Sequence, residues 1–177
     1  AFPHLKKLSF ERFMLGVNRA KFSFIRVEAD ESTYDLHIML RFAVEKRLFD
    51  GSLKVSEIPD MWNDEFQKSF GMTPTSNREG CLQDIHWSMG GFGYFPTYTL
   101  GNLNSAQLFQ SAMREPEVQK GFQEANFSPL LAWLRGNVHQ VGSILSPQDL
   151  MLRATDQTTQ IEPYLKHLKT RFLPQGF

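Results

Sequence analysis

The chain has 177 residues, 41% of them hydrophobic and 21% charged, with 19 lysines and arginines against 19 aspartates and glutamates. This is one ordinary globular domain, long enough to bury a core, and its balanced charge offers no basic footprint for nucleic acid or an anionic membrane. Cys81 is the only cysteine, which excludes an intrachain disulfide framework and a thiolate zinc site.

No apolar run approaches the length of a membrane span and nothing reads as a signal peptide, so the cytoplasm is the expected compartment. The chain opens on Ala1-Phe2-Pro3-His4 without an initiator methionine, as a piece of a longer protein, a processed chain or one behind a disordered leader would. Ser9 can cap a first helix carrying Phe10, Phe13, Leu15 and Val17. The run Phe22 to Glu28 is ambiguous between helix and short strand. From Asp30 to Asp50 comes the longest pattern, with Leu36, Met39, Leu40, Ala43, Val44 and Leu48 at helical spacing and Gly51 as the stop. Ser32 and Asp35 read as a capping box at its start.

A shorter helix follows Ser56, carries Met61, Trp62, Phe66 and Phe70, and ends at Gly71. Residues 72–80 form a polar loop. Thr99 to Met113 is helical again, with Leu100, Leu103, Gln107 and Gln110 on one face. Ser128-Pro129 and Ser146-Pro147 are matching helix starts, each a cap residue followed by proline at the first helical position. The first leads through Leu134 and Val138 to Gly142, and the second has Asp149 completing its box. Thr159 with Glu162 opens a last helix striped by Tyr164, Leu165, Leu168 and Phe172. With no repeat and no internal linker, residues 1–177 read as a single helical unit, mainly α, an irregular array of about seven or eight helices.

Chemistry concentrates between Gly80 and Tyr98. The run Gly80-Cys81-Leu82-Gln83-Asp84-Ile85-His86-Trp87, followed by Gly90-Gly91-Phe92-Gly93-Tyr94-Phe95-Pro96-Thr97-Tyr98, crowds an amide, a carboxylate, an imidazole, an indole and two phenols together with glycines. Buried polar tips need partners, so this reads more like the wall of a site than scaffold. None of the five histidines is followed by glutamate, so the helical zinc signature H-E-x-x-H is missing. No Gly-x-Ser-x-Gly elbow and no phosphate-cradling loop is present. A Cys81–His86 dyad requires closeness in space and an activated thiolate, against the ordinary state of a lone cysteine as an inert apolar residue.

Arg26 lies between Ile25 and Val27 and reads as a partly buried guanidinium in need of a carboxylate. Glu28, Asp30 or Asp84 can form a structural pair with it; alternatively it recognises an anionic substrate end. Asp84 and His86 are two apart, so on a helix they face different partners, and His86 taken alone reads as a core histidine donating to a carbonyl. Tyr94 and Tyr98 are four apart, which on a helix stacks both phenols on one face. A phenol is a neutral donor at pH 7, suited to a developing oxyanion, and a core tyrosine pair is the equally common alternative.

At these residues the chain resembles the carboxypeptidase Taq family of zinc metallocarboxypeptidases. Its members carry Ile-Arg-x-x-Ala-Asp, here Ile25 to Asp30, and Gly-x-x-Gln-Asp-x-His-Trp, here Gly80 to Trp87. The resemblance runs over nearly the whole chain, strongest from Ile25 to Gln107. It implies the C-terminal portion of a mostly helical, zincin-like metallopeptidase with a deep groove, lacking the H-E-x-x-H segment and so holding no metal and inactive alone. In the complete enzyme it implies zinc and release of single residues from peptide C-termini, with the missing N-terminal part of the same protein as partner and a homodimer as the expected assembly. By the same resemblance, Tyr98 stabilises the oxyanion with Tyr94 beside it, and His86 bonds the substrate backbone or carboxylate. Arg26 then anchors the C-terminal carboxylate directly or by holding the pocket, while Gln83 and Asp84 line the groove or orient Arg26 and His86. A free-standing, non-catalytic helical domain that binds peptides or a partner protein is the alternative.

Overall fold

The structure is a computed structural model that describes residues 7–173. The opening Ala1-Phe2-Pro3-His4 therefore lies outside the described residues. Among these residues the regular structure is helical throughout: α1 (Phe10–Val17), α2 (Glu31–Phe49), α3 (Ile58–Phe70), α4 (Pro96–Ala112), α5 (Pro116–Gln123), α6 (Ser128–Asn137), α7 (Pro147–Thr155) and α8 (Glu162–Phe172), joined by short 3-10 turns. None of the described helices is long and apolar enough to cross a membrane. The chain folds as two compact units, one formed up to Thr99 together with the segment from Thr170 onward, the other from Leu100 to Lys169.

The first unit is organised around α2 and α3. Asp30 caps α2: its Oδ1 accepts from the backbone N–H groups of Ser32 at 2.9 Å and Thr33 at 3.1 Å. This corrects the expected Ser32–Asp35 box. Ser32 already lies inside the helix, where its amide is one of the orphan donors that need a cap. Asp35 instead accepts from the Thr99 hydroxyl at 2.6 Å. The inner face of α2 places Leu40 and Val44 against Met61, Trp62 and Phe66 of α3, with Phe70 and Cys81 completing the core. Burying side chains of this size contributes about 1.5–3 kcal/mol each. α3 ends where Gly71 takes a left-handed φ of 69°, a conformation glycine adopts without steric cost. The ambiguous Phe22–Glu28 run is neither helix nor strand over most of its length; only Arg26–Glu28 closes a 3-10 turn.

The second unit has a polar centre. The buried Gln107 side chain donates from Nε2 to the Thr155 hydroxyl at 2.7 Å and lies within bonding distance of the Gln157 and Thr158 carbonyls. Its Oε1 accepts from the Gln160 backbone at 2.8 Å. Leu100, expected on the same inward face, is exposed, and the residues buried with Gln107 are Ser111 and Ala112. Ser146 caps α7 and shares hydrogen bonds with Asp149, as the sequence implies. α8 begins at Glu162, so Thr159 lies two residues before its cap position, and the Thr159 hydroxyl donates to Asn104 at 2.6 Å. α6 stops at Asn137 and the chain continues to Val141 as a 3-10 turn. The eight-residue α5 escapes the periodicity because its inward face is Val118 and Gly121, the latter packed so closely that an added Cβ would lie 2.5 Å from the Asn126 carbonyl.

Candidate functional site

All six candidate side chains, Arg26, Gln83, Asp84, His86, Tyr94 and Tyr98, lie in the first unit, and the fold brings them into one cluster. Gln83 ties its two sequence motifs together. Its Oε1 accepts from the Arg26 backbone at 2.8 Å, while its Nε2 donates to the carbonyls of Glu79 at 2.7 Å and Phe24 at 3.0 Å. The neighbouring Asp84 is the electrostatic centre. Arg26 reaches Oδ1 through Nε at 3.1 Å and Nη2 at 2.6 Å. Arg41, fully buried on α2, reaches Oδ2 through Nε at 2.7 Å and Nη2 at 2.5 Å.

Two guanidinium groups thus share one carboxylate in direct contact. Burial disfavours the Asp84 anion, but the hydrogen bonds from Arg26 and the charge of Arg41 outweigh it and hold its carboxyl below the usual carboxylate range. Burial also drives Arg41 down, with help from the Arg26 charge, to about 10, so it remains protonated at neutral pH. Arg26 is raised: its burial cost is overcome by the hydrogen bond and charge of Asp84. Of the three carboxylates that could have paired with Arg26, the fold selects Asp84.

The remaining Arg26 contact runs outward. Nη1 donates to the Tyr34 hydroxyl at 2.8 Å, which leaves that phenol's own proton available. Phe95, almost wholly buried, lies under both guanidinium groups, with its ring centre 5.6 Å from Arg26 and 5.2 Å from Arg41. The His86 ring packs on Phe95 at 4.4 Å between centroids, and its Nε2 shares a hydrogen bond of 3.1 Å with the Tyr98 hydroxyl. His86 Nδ1 faces Asp84 Oδ1 across 3.9 Å. The segment Gly80–His86 is a series of turns rather than a helix, which is why two residues expected to diverge face each other. Tyr94 and Tyr98 also meet for a different reason than helical spacing. Tyr94 precedes α4, and a turn folds its ring edge-on to Tyr98 at 5.4 Å.

The glycines serve that turn. Gly90 and Gly93 each take φ of 74°, which no side chain favours, and the space around both is open. Backbone conformation accounts for them, not close approach of a ligand. Cys81 belongs to the core, and burial pushes its thiol pKa up, so it has no thiolate character to offer a dyad. Among the described residues no group of three His, Cys, Asp or Glu side chains converges to hold a metal ion.

Tyr34, Arg41 and Phe95 were not among the sequence candidates, and neither was Glu45. Arg41 and Glu45 follow His37 at successive four-residue steps along α2, and all three are buried. Their register beside Leu40 and Val44 is the one trace in the sequence, and it does not separate them from an exposed pair.

His37 is the unusual member of that row. Its ring is enclosed against Phe70 at 4.6 Å and Phe66 at 5.7 Å, and neither ring nitrogen has a hydrogen-bond partner among the described residues. Burial, with the charges of Arg41 and Arg26, lowers its pKa to about 4. The unfolded chain therefore binds a proton near pH 6.5 that the native state refuses until about pH 4, and stability rises with pH through that window. His37→Leu is expected to remove on the order of 3 kcal/mol of the stability loss between pH 7 and pH 4. Urea unfolding of both proteins at the two pH values checks it; identical pH slopes would show that His37 does not titrate across folding.

Comparison with known proteins supplies the frame for this cluster. The sequence profile described as carboxypeptidase Taq (M32) metallopeptidase matches residues 1–172. The chain belongs to that family. It is similar to thermostable carboxypeptidase 1 of Thermus thermophilus, with 41% identity over 172 residues, covering 97% of this chain and 34% of that protein. Carboxypeptidase 1 of Bacillus subtilis is 39% identical over 168 residues, again 34% of its length. Among solved structures, the M32 carboxypeptidase of Deinococcus radiodurans R1 superposes with a TM-score of 0.90 at 37% identity, over 97% of this chain and 35% of that one. The Pyrococcus furiosus carboxypeptidase gives 0.89 at 39% identity, with the same coverage. The chain thus spans about a third of the length of the M32 relatives it matches.

Proposed function

We propose that this chain forms the substrate-recognition and oxyanion-stabilising part of a zinc metallocarboxypeptidase that releases single residues from peptide C-termini. The observation that carries the reading is the His86–Tyr98 hydrogen bond lying beside two guanidinium groups that share one carboxylate. The two ends of a C-terminal peptide bond call for such groups: a cation for the terminal carboxylate, and neutral or cationic donors for the oxygen that becomes negative as the carbonyl is attacked.

Arg26 supplies the cation, directly or by holding Tyr34 toward the substrate, since its Nη1 already orients that phenol. Gln83 and Asp84 hold Arg26 in place from its backbone and side chain. His86 donates to the substrate backbone or carboxylate and fixes the Tyr98 hydroxyl. When both imidazole nitrogens carry protons, Nδ1–H faces Asp84 and Nε2–H donates to the Tyr98 oxygen, which frees the phenolic proton for the oxyanion. Tyr94, half exposed at the mouth of the cluster, is the neighbouring donor.

Zinc and the attacking water belong, in this reading, to the rest of the polypeptide. Val27, Leu82, Ile85 and Met89, which flank Arg26, Gln83, Asp84 and His86 in sequence, are each two-thirds exposed or more, apolar surface suited to cover by that remainder. The chain alone is accordingly proposed to be inactive.

The test uses the complete protein. Supplied with zinc, it is expected to release the last residue from a peptide with a free C-terminus and to leave the C-terminal amide of the same peptide intact. Binding of the free peptide without release under any metal would instead favour the non-catalytic peptide-binding reading.

A further inference from the structure

Glu45 is a buried carboxylate that touches none of the proposed substrate-facing groups. It lies on α2, 4% exposed, one turn beyond Arg41. Keeping an anion out of water is costly unless its oxygens are satisfied, and a leucine would fill such a place more cheaply. Its partners are neutral N–H groups of a single turn: the Trp87 indole donates to Oε1 at 2.7 Å, and the Gly93 backbone donates to Oε2 at 3.1 Å.

Those two donors bracket the residues that matter. Trp87 directly follows His86, and Gly93 directly precedes Tyr94. Between them the chain reverses, with Gly90 and Gly93 at left-handed φ and the Gly91 backbone donating to the His86 carbonyl at 2.7 Å. A turn built on two unhindered glycines has little stiffness of its own. One carboxylate on a rigid helix therefore clamps both ends of the segment that carries His86 into contact with Tyr98 and brings Tyr94 beside them.

We infer that Glu45 is a positioning residue for the His86–Tyr98 pair, acting through Trp87 and Gly93. The inference rests on the reading of Tyr98 and His86 as oxyanion and substrate groups. Glutamine at this position is isosteric but turns one acceptor into an NH2 group that opposes an N–H, so one arm of the clamp is lost.

In the complete, zinc-loaded protein, Glu45→Gln is expected to lower kcat per folded molecule about tenfold to a hundredfold on a free-acid peptide, with KM little changed, since small misplacements of reacting groups cost this much. Because the residue acts through the pair, the same substitution on a Tyr98→Phe background should lower kcat by no more than about twofold. Trp87→Phe, which keeps the ring and removes only the indole donor, should show the same dependence on background and decides the matter if Glu45→Gln does not fold. Equal losses on both backgrounds would assign Glu45 a purely structural role and overturn the inference. So would unchanged kcat in Glu45→Gln where Tyr98→Phe alone is strongly impaired. A Tyr98→Phe protein with normal turnover would remove the underlying reading, and this inference with it.

Discussion

Tyr98→Phe in the complete protein is expected to lower kcat about a hundredfold to a thousandfold, the usual effect of deleting one donor from an oxyanion site. KM for a free-acid peptide should change little, because the lost hydrogen bond strengthens only as charge develops on the carbonyl oxygen. The structure distinguishes this phenol from its neighbour. Tyr98 sits on the first turn of α4, half-buried, with its hydroxyl held 3.1 Å from His86 Nε2 and its ring 5.1 Å from the Arg26 guanidinium. Tyr94 precedes the helix and is 52% exposed. Tyr94→Phe should therefore cost much less than Tyr98→Phe. Steady-state kinetics on purified variants checks the order, and equal turnover in wild type and Tyr98→Phe would take this residue out of the mechanism.

Asp84→Ala is expected to be the most destabilising single change in the first unit, by about 3–5 kcal/mol, because it strands two buried cations at once. Its side chain is 13% exposed and makes contacts of 2.5 Å and 2.6 Å with the two arginines, so water cannot readily replace it. The sign of the pH effect follows from its depressed pKa. The stabilisation is present above the ordinary carboxylate value of 3.8 and is lost as pH falls through the lower folded value. Arg26→Gln is the informative contrast, since it leaves Arg41 and Asp84 as a one-to-one pair and should cost far less. Denaturant unfolding at neutral pH reads both. Equal destabilisation by the two changes would mean that the arginines do not share the carboxylate as described.

How much of this could be read beforehand depends on whether a residue's neighbours in sequence are also its neighbours in space. Arg26, Gln83, Asp84, His86 and Tyr98 stand in short motifs whose polar residues interrupt apolar surroundings, and all were legible. Arg41 and Glu45 were not, because an arginine and a glutamate four apart on a helix look like an exposed surface pair. Only the core reveals that they share the buried side of α2 with Leu40 and Val44 and that their partners lie more than forty residues away. Tyr34 was hidden in the same helix, where nothing local marks one half-buried aromatic among mixed polar and apolar residues.

The helices themselves were largely legible, since Met61, Trp62, Phe66 and Phe70 mark α3 and Ser146 marks α7 without any tertiary information. Ser128 opens α6 as a helical residue, with Phe127 at the cap position, and the two other capping errors share one cause. Asp30 rather than Ser32 caps α2, and Thr159 bonds Asn104 rather than capping α8, because short polar side chains take whichever donor or acceptor the fold brings nearest.

Arg26 tests the whole account most directly, because removing its charge still leaves Asp84 paired with Arg41. The measurement is the ratio of kcat/KM for a peptide with a free C-terminal carboxylate to that for its amide, in the complete wild-type protein and in Arg26→Gln. A strong wild-type preference for the acid that falls about tenfold or more in the variant is the expected result, matching loss of one charge-assisted contact. An undiminished preference in a folded Arg26→Gln protein would contradict it.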